Sequence, residues 1–397
     1  MKELSRIASA VRASTTMEID AMSKSMKAAG IDVIGFGAGE PDFDTPANIT
    51  QACIQALEEH KTRYTAASGI AELKAAACMR IESDCGISYK PSNVIIASGA
   101  KHIVYLALRA LINPGDEVIL PAPCWVSYYE LIQMVGGVPV VLYAGEEADF
   151  KLTAAQLEAA ITDKTKCLIL NSPCNPTGMA YSREELEALA AVCVKKDIYV
   201  LSDEIYYSLL YDGVEFVSLA SLNDEIKART ILINGVSKSY AMTGWRIGFA
   251  MADEKIIKVM SNYVSHSTAG PATFSQWAAV EALTGTQEPR EVMRSAFQER
   301  RNYIVERINA IPGVSCLKPQ GAFYIMMNIK ELLGKELYGV KIESADDFCT
   351  LFLQKGLVAT VPCTGFFAPG YVRWSYATSL DNIQSGCDRL EKFLAEG

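Results

Sequence analysis

The chain is short of histidine and has no closely paired cysteines, and both shortages narrow its chemistry. Its three histidines, His60, His102 and His266, lie far apart. No zinc-ligand spacing joins them to the eleven cysteines, among which there is no CxxC pair. An odd, scattered set of thiols in 397 residues predicts reduced cysteines in a cytosol, not a disulfide framework. A hydrolytic triad could use His102 or His266, but no GxSxG elbow accompanies them. Basic charge is also in deficit. The 37 Lys and Arg residues face 46 Asp and Glu, a formal net charge of -9, which disfavours nucleic acid as a partner. No apolar run approaches the ~20 residues of a membrane helix. The start, MKELSRIASAVRAS, has no continuous apolar core like that of a signal peptide. A cytoplasmic protein with no membrane partner is the expectation. Neither an internal repeat nor a low-complexity segment is visible.

What the chain does have is enough apolar residue for a large core, 50% of the total, and two domains are expected. From about Pro91 to Ala282, strand-like runs alternate with helical ones. NVIIASG leads into KHIVYLALRALI; DEVILPAP into WVSYYELIQMVG; CLILNSP, IYVLSDE and TILINGV read as further buried strands. Thr153 with Gln156, and Ser182 with Glu185, form capping-box patterns. Such alternation predicts an α/β fold, a mostly parallel sheet sandwiched by helices. TGTQEP, near Leu283–Pro289, breaks the pattern. A long charged helical stretch follows, then a tail that reads α+β. The expected division is an N-terminal arm at 1–45, belonging partly to the small domain, a large domain at 46–284 and a smaller one at 285–397.

Chemistry concentrates in GVSKSYAMTGWRIG, residues 235–248. Lys238 follows a buried-strand run. A lone lysine in a loop is usually solvated, but partial desolvation there would lower its pKa and free an amine for a Schiff base. Ser237 and Arg246 can both hold a phosphate, Arg246 through its fork of donors. A lysine imine beside a phosphate site suggests pyridoxal phosphate. Asp203 ends the run IYVLSD and is either a helix cap or a partner for a pyridine nitrogen. Tyr206, three residues on, and Trp125, after another strand, are core aromatics or ring contacts. Ser98-Gly99-Ala100-Lys101 opens a helix, where backbone N–H groups bind phosphate. In NSPCNPTG, prolines fix the backbone around Asn175. Arg373, on a strand, needs an anion, either a structural carboxylate or that of a substrate.

Together with GAGEPDFDTP, TRYTAASG, PCWVSY, GAFY and VRWSYATS, these motifs stand in one order and spacing. From about Arg12 to Leu394 the chain resembles the class I aminotransferases of pyridoxal-phosphate fold type I, in the aspartate aminotransferase group common in bacteria. The resemblance implies a large domain with a mostly parallel sheet plus a smaller α+β domain. It implies that Lys238 forms the Schiff base and moves the proton, and that Asp203 pairs with the pyridinium. Asn175 and Tyr206 would contact the ring oxygen, and Trp125 would stack on the ring. Gly99, Ala100, Ser237 and Arg246 would hold the phosphate, with Lys101 adjoining. Tyr64 would reach the phosphate of a neighbouring subunit, implying a homodimer with shared sites. Arg373 and Gly39 would hold the substrate α-carboxylate, with Trp125 and Asn175 bounding the same space. A cis peptide is expected at Asn175-Pro176. Cys124 and Cys174 depart from the commoner pattern and place thiols near the pocket.

Lys101 at a helix N-terminus opposes the helix dipole, so it either swings into solvent or meets an anion. In the resembling family, a lysine there and a threonine matching Thr16 lie at the distal carboxylate of aspartate or glutamate. The expected reaction is therefore L-aspartate plus 2-oxoglutarate giving oxaloacetate plus L-glutamate. Similar proteins also accept prephenate, with Arg12 a further anion contact. A carbon–sulfur β-lyase on the same fold, and a non-catalytic regulator, remain alternatives outside transamination.

Overall fold

A computed structural model describes residues 2–5, 8, 9, 11 and 16–397, and only the backbone of residues 16–20. Arg12 and the Thr16 side chain lie outside the described residues.

Seven strands form the large sheet: β1 (Val94–Ala97), β2 (Glu117–Ala122), β3 (Val138–Tyr143), β4 (Thr165–Asn171), β5 (Tyr199–Asp203), β6 (Thr230–Gly235) and β7 (Gly248–Met251). Their order is β1-β7-β6-β5-β4-β2-β3. All neighbours pair in parallel except β7, which is antiparallel to both β1 and β6. Side chains alternate faces along a strand, so a sheet covered on both sides requires apolar residues at successive positions. TILING in β6 is buried throughout. Its Ile231 and Ile233 enter one core cluster and Leu232 enters another. Helices cover both faces, among them α1 (Ala100–Leu111), α2 (Arg183–Lys196) and α3 (Thr273–Thr284). Both predicted capping boxes are formed, at Thr153/Gln156 and at Ser182/Glu185, the latter opening α2.

The break after α3 is narrower than the sequence suggests. The long helix α4 (Glu288–Asn309) already begins within TGTQEP, because proline is accommodated in a first helical turn. A smaller antiparallel sheet follows, built from β8 (Ser315–Cys316), β9 (Tyr324–Asn328), β10 (Val361–Pro362) and β11 (Tyr371–Ser375), in the order β10-β11-β9-β8. The final helix, α5 (Leu380–Glu396), carries Leu390 and Phe393 into the core beneath this sheet. The early chain joins here too. Ile34–Gly35 pairs in parallel with Val358–Ala359, and the Phe36 ring lies 4.6 Å from that of Trp374. That anchorage carries Gly37 and Gly39 to the seam between the two sheets. Among the described residues, no helix is long and apolar enough to cross a membrane.

Candidate active site

Parallel strands bring their carboxyl ends to one edge, and ligand sites in open α/β sheets form there. At that edge β5 ends in Asp203 and β4 in Asn171. Lys238 follows β6, Trp125 follows β2, and Gly99 follows β1. Because β7 runs the opposite way, its start lies at the same edge, and Arg246 precedes it by two residues. A cleft of about 500 Å³ opens there. Gly39, Ala100, Lys101, Trp125 and Asn175 line it, as do Asp203, Tyr206, Ser237, Lys238, Arg246 and Arg373. Gly99 sits just behind, against the Arg246 guanidinium. Tyr64 does not line the cleft and is 95% exposed.

The lysine lies among cations. Its Nζ donates to the carbonyl oxygen of Gly39. Desolvation, reinforced by Arg246 and Arg373, lowers its pKa to about 8, although the Glu40 carboxylate works in the other direction. Asp203 is buried on the cleft floor. Burial pushes its carboxyl up to about 6, against the bonds it accepts from the Tyr128 hydroxyl at 2.7 Å and the Ile205 N–H at 3.2 Å. A cation beside this carboxylate would favour its ionised form.

Asn175 is aimed by more than its prolines. Its N–H donates to Asn171 Oδ1 at 2.9 Å, and its own Oδ1 accepts from Arg373 Nη1 at 3.0 Å. The Asn175-Pro176 peptide is cis, as expected. Arg373 also donates from Nη2 to the Gly37 carbonyl at 2.9 Å, while among the described residues its buried Nε has no partner. Arg246 donates from Nη1 to the Thr243 carbonyl at 2.7 Å. Lys101 Nζ lies 4.8 Å from the centre of the Trp125 ring, and burial with Arg246 nearby lowers its pKa. Among the described residues, none of Arg246, Lys101 and Arg373 has a salt-bridge partner. Three cations so placed call for anions.

That arrangement fits pyridoxal phosphate. Arg246, Ser237 and the N-terminus of α1 are the groups that would cradle its phosphate. Gly99 has a φ of +88°, and a Cβ there would run into the Arg246 guanidinium, so glycine keeps the cradle open. Asp203 and Trp125 suit a pyridinium ring.

Sequence motifs alone passed over three residues of the cleft. Tyr128, one helical turn after Trp125, holds Asp203. Tyr324, within GAFY, contacts Tyr206. Glu40 accepts from the Thr243 hydroxyl at 2.7 Å, joining the early chain to the lysine loop. The spacing of Tyr128 from Trp125 was a readable signal, whereas Tyr324 and Glu40 meet their partners only through the fold. Burial raises both Cys124 and Cys174, the latter to about 11, which leaves little thiolate for oxidation at neutral pH.

The family of class I and II aminotransferases matches residues 31–390. An aspartate aminotransferase from Bacillus sp. (strain YM-2) is 48% identical over 381 residues, covering 96% of each chain. An aspartate/prephenate aminotransferase from Cereibacter sphaeroides is 44% identical, covering 100% of this chain and 99% of its own. The solved aspartate aminotransferase from Rhizobium meliloti superposes with a TM-score of 0.97 at 39% identity, each chain covered in full.

Proposed function

Since the chain belongs to the class I and II aminotransferases, which depend on pyridoxal phosphate, we propose that it transfers the amino group of L-aspartate to 2-oxoglutarate, giving oxaloacetate and L-glutamate. The observation that carries this reading is the set of cations around Lys238 that have no salt-bridge partner among the described residues. Arg246 serves the phosphate, Arg373 the α-carboxylate, and Lys101 a second, distal carboxylate. The relatives named as aspartate aminotransferases support the same substrate.

When bound, the cofactor supplies an aldehyde for the amino group and a protonated ring that draws electrons from the α-carbon. The residues of the chain do the rest. Asp203, oriented by Tyr128, keeps the ring nitrogen protonated. Asn175 and Tyr206 would hold the ring oxygen, and Trp125 would bound the ring. Arg373 and the Gly39 backbone orient the substrate through its α-carboxylate. Lys238 Nζ takes the α-proton and returns it, a task suited to an amine neutral above about pH 8. The exchange runs in two half-reactions, oxaloacetate leaving before 2-oxoglutarate enters.

Tyr64 belongs to this reading as a contact to the phosphate of a second copy. Its exposure, with that of Ile54 and Leu57 shortly before it, supports a face covered in a homodimer. The reduced cysteines support a cytosolic setting. A second activity, transfer to prephenate, is supported by the relative from Cereibacter sphaeroides; turnover with prephenate as acceptor checks it.

Lys101→Ala tests the dicarboxylate assignment. Loss of a charge-assisted contact is worth roughly 1.5–3 kcal/mol, so kcat/KM for aspartate should fall about 10- to 100-fold. That for alanine should barely change. An equal loss for both amino acids overturns the assignment.

A further inference from the structure

Arg373 and Tyr206 reach the cleft from different sheets, and one side chain touches both. The Tyr324 hydroxyl, from β9, lies 3.0 Å from the Tyr206 hydroxyl. The Arg373 guanidinium carbon sits 4.6 Å from the centre of the Tyr324 ring. Backbone pairing enforces this, because Tyr324 faces Ser375 and Met326 faces Arg373 across β9 and β11. Neighbouring rings fix the phenol, with Phe323 at 4.7 Å and Tyr206 at 5.9 Å. At the open end, a Cβ on Gly39 would come within 3.2 Å of the Tyr324 hydroxyl.

Both hydroxyls are buried, and among the described residues neither has another hydrogen-bond partner. Each phenol has one proton to donate. In the pair one donates and one accepts, so a single proton is left for use elsewhere. If Tyr324 donates, Tyr206 can offer its proton to the cofactor ring oxygen. If Tyr206 donates, the free proton is that of Tyr324, beside Arg373 and Gly39. The charged groups that act on the pair are Arg373, Asp203 and Glu40, and Lys238 lines the same cleft.

We propose that Tyr324 is a positioning residue that couples the two ends of the site. A carboxylate seated on Arg373 draws the Tyr324 proton outward, turns the Tyr206–Tyr324 bond around, and withdraws the Tyr206 proton from the ring oxygen. The proposal rests on the reading of the cleft as a pyridoxal-phosphate and carboxylate site.

The test is a visible-absorbance pH titration of the cofactor-loaded protein, with and without maleate, a dicarboxylate that has no amino group to transfer. Withdrawing a hydrogen bond from the ring oxygen disfavours its anion, so maleate should raise the titration midpoint in the wild type. In Tyr324→Phe the shift should shrink by roughly half a unit, the scale of one neutral hydrogen bond. Maleate affinity should change less than about threefold, since Arg373 remains. In a Tyr206→Phe background, adding Tyr324→Phe should have no further effect on the shift. Thermal melts of each variant verify folding.

A Tyr324→Phe protein with the full wild-type shift overturns the proposal. So does a reduction that persists in the Tyr206→Phe background, because Tyr324 would then act through Arg373 alone. A wild type that takes up no pyridoxal phosphate overturns the reading of the cleft itself, and a wild type that binds it but shows no maleate shift overturns the coupling alone.

Discussion

At the scale of single residues, the decisive quantity is the protonation of Lys238. Burial and two neighbouring guanidinium groups disfavour its charged form and lower its pKa to about 8. Only the neutral amine attacks an aldehyde. Capture of pyridoxal phosphate by the cofactor-free protein should therefore accelerate about tenfold per unit up to about pH 8, then level off. Stopped-flow absorbance measures this directly. A rate still climbing toward the ordinary range of lysine would place the amine in solvent. Lys238 was readable from its motif because a lysine after a buried strand is an unusual expense of desolvation. Asn175 was legible as a candidate, but not its support. The bond it accepts from Arg373 joins residues far apart in the chain, which no local pattern reports, whereas the one it donates to Asn171 spans only four residues.

At the scale of elements, the site depends on strands and helices meeting at one sheet edge. Gly99 is the joint between β1 and α1, with a φ of +88° that a side chain adopts only under strain. Gly99→Ala should lower affinity for pyridoxal phosphate by about tenfold or more, through that strain and displacement of Arg246. Calorimetric titration of the variant checks it, and unchanged affinity would remove Arg246 from the cradle. The strand-and-helix alternation made this architecture legible, since a buried parallel sheet leaves continuous apolar runs such as TILING. The reversed direction of β7 was not legible, although it is what delivers Arg246 to the cleft. Direction is set by how the chain crosses over, and the apolar pattern of a strand is the same either way. The helix α4 begins inside TGTQEP rather than after it: proline signals a break in sequence but is tolerated in a first turn.

At the scale of the whole molecule, Tyr64 stands outside the cleft it is proposed to serve, which makes sense only across a subunit boundary. Light scattering should report about twice the chain mass of 43.2 kDa. Tyr64→Phe should weaken pyridoxal-phosphate binding roughly tenfold, the worth of one hydrogen bond to a charged group. A monomer with full affinity would contradict the shared site. The central claim, that this cleft moves an amino group from aspartate, is tested most directly by one spectrum. The purified, cofactor-loaded protein is recorded before and after L-aspartate is added without a keto acid, then again after 2-oxoglutarate. The account predicts a yellow band that aspartate abolishes and 2-oxoglutarate restores. A yellow protein indifferent to aspartate would contradict the substrate, and a protein that cannot be made yellow would contradict the role of Lys238.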